Sequence, residues 1–366
     1  MAKIVINGRF LTQKITGVQR FSIEIVKELD KIIDKNDEYI LVYPKKSKVA
    51  NNVDFENIKL ESYGKFNGHI WEQIDLPKFV KTKKATLLNL YGAAPIFKPG
   101  IAVIHDISFI VNPKFFSWRF RQFNKLMIRS IIKRSPFLFT VSEFTKSEIL
   151  RFFHFDGNKI FVIGNGYEHI ERIESDFSIL ERLKLKPKNF YLTVATLAPN
   201  KNLSFILNVA KMNSNKIFVI VGSRDPKLSK VFGGSKMKNV ELRNVIYTGY
   251  IDDFQMKALY QYAKAFIFPS FYEGFGLPPL EALVCGTNII VSNTTALSEI
   301  YKDVAFFIDP RDVSTLDKLI KNDSIFNDEP DKNKIEELKS KYNWKNIALK
   351  IKQVIDSQLY EVENTK

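Results

Sequence analysis

Short apolar runs alternate along the chain with longer segments whose apolar positions recur every three to four residues, the pattern of βαβ units and parallel sheets. In the first half it predicts strands at Lys3–Asn7, Tyr39–Tyr43, Thr86–Asn89, Ile101–His105, Leu138–Val141 and Lys159–Ile163. In the second half it predicts Tyr191–Ala195, Lys216–Val221, Val245–Thr248, Ala265–Phe268, Asn288–Ser292 and Ala305–Ile308. Six and six is what two doubly wound domains yield, so the predicted class is α/β, two similar Rossmann-like units with a cleft between them. Residues 1–170 form the expected N-terminal domain and the charged, strand-poor stretch 171–187 a linker. A second domain is expected over 188–338, then a helix and tail over 339–366. Asp323–Asn333 is polar and reads as a loop, whereas Ile347, Ile351, Val354, Ile355 and Leu359 make a helical stripe in Trp344–Leu359.

Composition narrows the class. With 45% hydrophobic and 26% charged residues the chain is globular, and no run reaches the ~18 apolar residues of a spanning helix, so a soluble or peripheral protein is expected. The start, MAKIVINGRFLTQ, reads as a short strand and polar residues, not an apolar signal core. A single cysteine, Cys285, allows neither an internal disulfide nor a Cys-based zinc cluster, and a cytoplasmic location is expected. The net charge is +15, unevenly spread: residues 1–170 hold 27 basic and 16 acidic side chains, residues 171–366 hold 28 and 24. The first half therefore faces something anionic: nucleic acid, an acidic membrane surface or a phosphorylated small molecule. No helix-turn-helix, zinc-finger or aromatic RNA-binding signature supports the first of these. No acidic residue lies between Ile107 and Ser142, where Arg121, Lys125, Arg129 and Lys133 recur every four positions. Phe116, Phe120, Phe123, Met127 and Ile131 form another face of the same stretch. It reads either as a helix with its aromatics in the core and its charges solvated, or as a peripheral contact for an anionic membrane.

Ligands of open parallel sheets bind beyond the carboxyl ends of the strands. The richest such end is PSFYEGFGLPPLEALVCG, where a strand runs into a glycine-rich turn and Pro278 and Pro279 suit a first helical turn. Glycines let a backbone approach closely, and N–H groups at a helix start favour an anion such as a diphosphate. Glu273 lies in the turn and Glu281 about one turn into the helix, so both can face a ligand there. In VATLAPNKNLSFIL a strand leads to Lys201, placed to neutralise a diphosphate. IAVIHDISF delivers His105 to a strand end, and in ITGVQRF Gly17 precedes a helix and allows close backbone approach. GHIWEQIDLP places His69 and Glu72 at a helix start, where Glu72 either positions or deprotonates an acceptor hydroxyl. The same stretch also reads as a helix packing Trp71, Ile74 and Leu76 into the core.

Glu273 and Glu281, with seven residues between them in EGFGLPPLE, resemble the E-x7-E motif of retaining glycosyltransferases with the GT-B fold, particularly glycosyltransferase family 4. The likeness extends to TGVQRF, IHDISF, TVSEFTKSEI, GNGY, GYIDDFQMKALYQYAKAFIFPS and TTALSEIYKDVAFFIDPRD, most of residues 3–312. NGRFLTQKITGVQRF through GHIWEQIDLP looks most like bacterial enzymes that build surface polysaccharides (O-antigen or capsule), including mannosyl- and rhamnosyltransferases. The resemblance implies a GT-B fold with the C-terminal helix packing back toward the first domain. It implies transfer from a nucleotide sugar to a lipid-linked or oligosaccharide acceptor, with retention and with neither a cofactor nor a divalent metal. Glu281 would accept hydrogen bonds from the ribose, and Glu273 would sit by the donor sugar. Backbone N–H groups of Phe275, Gly276 and Leu277 would contact sugar and diphosphate, His105 the donor sugar or acceptor, and Gly17 the diphosphate. The family loop usually carries an arginine beside the lysine; here Ala195 and Asn200 occupy those places, which leaves Lys201 alone unless Arg224 compensates. A non-catalytic sugar-nucleotide-binding module, or an epimerase on the same scaffold, is the competing expectation.

Overall fold

The computed structural model describes residues 3–34, 36–49, 54–195, 198–222 and 242–364, with side chains as far as 359. Contacts divide the chain into two units, Met1–Ile107 with Gln122–Gly166 and Tyr342–Lys366, and Ser108–Arg121 with Tyr167–Lys341.

The first unit is built on seven strands: β1 (Lys3–Asn7), β2 (Glu38–Pro44), β3 (Lys59–Tyr63), β4 (Thr86–Asn89), β5 (Ile101–Ile104), β6 (Leu138–Thr140) and β7 (Ile160–Val162). They pair in the order β3-β2-β1-β4-β5-β6-β7, every pair parallel. Val5 lies opposite Ile40 on one side and Leu87 on the other. Helices cover both faces, which is why the central strands read as unbroken apolar runs: Ile4, Val5 and Ile6 are fully buried. One strand more is present than the sequence pattern predicts. β3, KLESY, is a half-exposed edge strand with no apolar run to announce it, held by its ladder to β2. The C-terminal helix, Trp344–Asn364, outruns its predicted stripe and packs on helix Gly17–Ile32 of this unit, as the resemblance implied. Trp344, Ile347, Ala348, Ile351 and Ile355 are among its buried residues, and the Trp344 ring meets Phe21 edge-on at 5.8 Å. The GNGY glycines serve this packing: a Cβ on Gly166 would stand 2.4 Å from the Trp344 backbone nitrogen.

The second unit repeats the plan with β8 (Phe190–Val194), β9 (Ile217–Val221), β10 (Val245–Gly249), β11 (Ala265–Phe268), β12 (Ile289–Ser292) and β13 (Ala305–Ile308), ordered β10-β9-β8-β11-β12-β13. Ile206, Val209, Phe218, Ile220, Ile267 and Ile290 are central to its core. The segment Ser108–Arg121 groups with this unit, which a single boundary near residue 170 does not anticipate. Within the stretch expected as a linker, Ser178–Arg182 is a helical turn that buries Ile179 and Leu180, and just before that stretch Glu168–Glu171 is another, burying Ile170. In each sheet the strand order reverses once, between β1 and β4 in the first and between β8 and β11 in the second, and within each unit the side chains delivered past those two strand ends lie together.

Candidate functional site

In the second unit the switch point brings Lys201 and Glu273 together. Lys201 follows β8 in a short 3₁₀ turn, Pro199–Lys201, and Glu273 lies in the turn after β11. The two loops are tied by the Phe271 N–H donating to the Asn200 carbonyl at 2.8 Å and by the Asn202 amide donating to the carbonyls of Pro269 and Pro310. The Lys201 ammonium donates to Glu273 Oε1 at 2.6 Å and lies over the Phe268 ring, while the Glu273 N–H donates to Thr295 Oγ1. Asn200, at a place where an arginine was looked for, thus contributes its backbone carbonyl to the loop.

The helix after Glu273, Leu277–Val284, is entered through Gly276 at φ +91°, a left-handed conformation that suits glycine. A Cβ there would meet Leu297 Cδ2 at 2.5 Å, and Tyr301 Oη donates to the Gly276 carbonyl at 2.5 Å, so the turn is fixed from two sides. Phe275 and Leu277 bury their side chains, leaving the backbone as what they can offer a ligand. Pro278 and Pro279 carry no N–H, so anion contact at this helix start falls to the N–H groups of residues 275–277.

Glu281 projects from the same helix and is held by two residues that sequence patterns did not single out. Tyr260 Oη donates to Oε2 at 2.8 Å, and His169 Nε2 lies 2.9 Å from Oε1. Burial, the Glu281 charge and this hydrogen bond hold the Tyr260 hydroxyl well above the usual phenol range, so it stays a donor. Tyr260 reads in the sequence as one apolar position of helix Asp253–Tyr262, and His169 falls at the very end of the expected N-terminal domain, beyond the GNGY segment. Cys285, one turn on, is half-buried, and desolvation with the Glu281 charge pushes its thiol up to about 12, away from the reactive thiolate.

At the switch point of the first unit Glu72 is the hub. Its carboxylate is fully buried and accepts from Asn7 Nδ2 at 2.9 Å, from the Arg9 guanidinium at 2.9 Å and from Tyr91 Oη. His69 Nδ1 lies 3.3 Å from the same carboxylate and 3.0 Å from Arg9. Burial alone would raise the Glu72 carboxyl, but the His69 hydrogen bond, the Arg9 charge and the Tyr91 and Asn7 bonds outweigh it and hold the group below its ordinary value. An anion so well satisfied is a poor proton acceptor, so the geometry favours the positioning alternative for Glu72, through Arg9 and His69, over deprotonation of a hydroxyl. The packing alternative is right for Trp71 and Leu76, while Ile74 is exposed. Arg9 and Tyr91, unremarked in the sequence, belong to this network.

His105 follows β5. Its Nε2 lies 2.7 Å from the Leu90 carbonyl, an N–H donation that leaves Nδ1 as an acceptor, and its ring stands edge-on to Phe21 at 4.8 Å. Burial lowers its proton affinity despite the Leu90 hydrogen bond and the Asp106 charge, so the neutral imidazole is favoured. Gly17 opens helix Gly17–Ile32, and a Cβ there would find no atom within 4 Å, so packing alone does not demand the glycine. Arg224 lies outside the described residues. The basic stretch forms helix Trp118–Arg134, but its aromatic face is only partly core: Met127 and Ile131 are buried whereas Phe120 is exposed. Among the described residues no helix is long and apolar enough to cross a membrane, and no group of three or more His, Cys, Asp or Glu is placed to hold a metal ion.

The sequence matches the family model for group 1 glycosyl transferases over residues 176–342 and that for glycosyltransferase family 4 over residues 15–169. It is 25% identical over 342 residues to the O-antigen chain mannosyltransferase B of Escherichia coli, covering 86% of this chain and 88% of that protein. Its fold is similar to sucrose-phosphate synthase of Thermosynechococcus elongatus, with a TM-score of 0.72 at 15% identity over 99% of this chain and 100% of that one. It is also similar to Anabaena HepE solved with UDP and glucose, with a TM-score of 0.70 at 16% identity over 98% and 100%. Two family models in tandem and a Rossmann-like sheet under each place this chain in glycosyltransferase family 4, with the GT-B fold.

Proposed function

We propose that the protein is a retaining glycosyltransferase moving a sugar, mannose by the name of its E. coli relative, from a nucleotide sugar to a lipid-linked or oligosaccharide acceptor in bacterial surface polysaccharide synthesis. The observation that carries this is the second switch point: a lysine, a glutamate and a glycine-opened helix gathered at one sheet edge, with a second glutamate held by Tyr260 and His169. Glu281 is partly exposed beside those partners, and a carboxylate, which accepts at up to about four lone-pair positions, suits a ribose diol. An incoming diphosphate competes with Glu273 for the Lys201 ammonium and frees the Glu273 carboxylate for the hydroxyls of the donor sugar. The N–H groups of Phe275, Gly276 and Leu277 share the phosphate charge with Lys201, so no divalent metal is required.

In the first unit, His105 offers Nδ1 to a hydroxyl of the donor sugar, Gly17 lets the backbone near the diphosphate, and His69, oriented by Glu72, meets the acceptor. The bond between the anomeric carbon and the phosphate oxygen breaks as the acceptor oxygen attacks on the same face. The departing phosphate takes the acceptor proton, so no enzymic nucleophile is needed. HepE was solved with UDP and glucose, which supports a nucleotide sugar as the donor class. We expect Glu281→Ala to raise the donor Kd about tenfold or more through the lost charged hydrogen bonds. His105→Ala and Glu273→Ala should instead lower kcat, roughly ten- to a hundredfold. Steady-state kinetics with a soluble acceptor checks both, and wild-type constants in all three variants would contradict the assignment.

A further inference from the structure

A surface of the first unit that the transfer chemistry does not use combines exposed apolar side chains with charge of one sign. Three segments meet there: helix Gly68–Lys83, the loop after β4, and residues 122–134 of the basic helix. The Gln73 side chain staples the first two, donating to the Ala94 carbonyl at 3.2 Å and accepting from the Ile96 N–H at 2.7 Å. Ser130 Oγ donates to the Ile96 carbonyl and joins the third. Around these staples stand Ile70 at 57% exposure, Ile74 at 39%, Phe97 at 80% and Leu126 at 54%. Ile70 and Ile74 flank Gln73, Phe97 follows Ile96, and Leu126 is one helical turn before Ser130 on the same face. Lys98, Arg129 and Lys133 border them, all exposed. The three segments contain only two carboxylates, Glu72 and Asp75, both buried: Glu72 in the network above, Asp75 accepting from the N–H groups of Lys65 and Phe66.

From this juxtaposition we propose that the face formed by Ile70, Ile74, Phe97 and Leu126 with Lys98, Arg129 and Lys133 seats the protein on an anionic lipid bilayer. The apolar side chains enter the headgroup boundary while the cations meet lipid phosphates. A second copy of the chain fits less well, since an isologous contact would set Arg129 and Lys133 against their own equivalents with no carboxylate to pair them. The inference stands apart from the donor site and does not need the transferase reading to be right. It also relocates the membrane contact from the whole basic helix: Arg121 belongs to the other unit, and it is Arg129 and Lys133 that join the apolar face.

The test is co-sedimentation of the full chain with vesicles of one part phosphatidylglycerol to two parts phosphatidylcholine, against phosphatidylcholine alone. The expected result is binding to the mixed vesicles that weakens with added salt. The combined change Ile70→Ser, Phe97→Ser, Leu126→Ser should weaken that binding roughly tenfold or more, and Lys98→Gln, Arg129→Gln, Lys133→Gln should abolish the preference for anionic lipid. All seven residues are exposed, and an unchanged melting temperature certifies the fold of each variant. Wild-type sedimentation by either triple variant, or equal binding to both vesicle types, would overturn the proposal. So would a dimer in lipid-free solution that the serine variant dissociates.

Discussion

Glu72 is a buried carboxylate and Glu281 a partly exposed one, and their surroundings suit them to different work. Tyr260 and His169 flank Glu281, whereas Glu72 takes hydrogen bonds from Asn7, Arg9 and Tyr91 besides His69, inside the unit. The spacing of Glu273 and Glu281 was legible in the sequence because both sit in one loop and helix. Tyr260 and His169 were not, because their contacts with Glu281 span 21 and 112 residues and neither lies in a motif. Tyr260→Phe should keep the fold and raise the donor Kd about fivefold, the worth of one hydrogen bond orienting a charged ligand group; equilibrium titration with the donor checks it. For His105 the neutral ring is the working form. Its folded-state proton affinity is depressed, so protonation is favoured in the unfolded chain and the stability it contributes is complete above about pH 6.5 and erodes below. The acidic limb of kcat should accordingly lie below about 6.5, and a limb centred above that value would show that another group titrates.

Among elements, those with unbroken apolar runs were read within a residue or two, since strands covered on both faces carry that signature. β3 was missed because an edge strand half in water needs no apolar run, and helix Lys332–Lys341 because it buries only Ile335. Two glycines at helix starts divide structural from chemical demand. Gly276→Ala imposes a positive φ and a 2.5 Å approach to Leu297, so it should destabilise by about 1–3 kcal/mol and lower the melting temperature. Gly17→Ala meets no atom within 4 Å, so stability should stay within about 0.5 kcal/mol. Turnover should nevertheless fall, because the methyl occupies space reserved for the donor diphosphate; full activity in Gly17→Ala would remove Gly17 from the site. Thermal melts read beside donor turnover separate the two effects.

For the whole molecule, the uneven charge in the sequence acquires a division of labour. In the second half, net +4, the groups proposed to bind phosphate, Lys201 and a helix start, are gathered by position at a switch point, an arrangement that needs no large positive field. The first half, net +11, carries the basic fringe around Phe97 and Leu126. Two domains were readable from length and periodicity alone. That Ser108–Arg121 groups with the second unit was not, because it depends on contacts between segments distant in sequence, such as Phe115 stacking on Phe271 at 5.9 Å. The central claim is catalysis of sugar transfer, and acceptor-dependent release of nucleoside diphosphate tests it most directly. A panel of nucleotide sugars is first screened for the donor that raises the melting temperature, since a bound donor stabilises by mass action. With that donor, the account predicts diphosphate release that requires a lipid-linked or oligosaccharide acceptor, yields a glycosylated product of retained anomeric configuration and slows about ten- to a hundredfold in His105→Ala. Donor binding without acceptor-dependent release, or interconversion of the donor sugar itself, would contradict it.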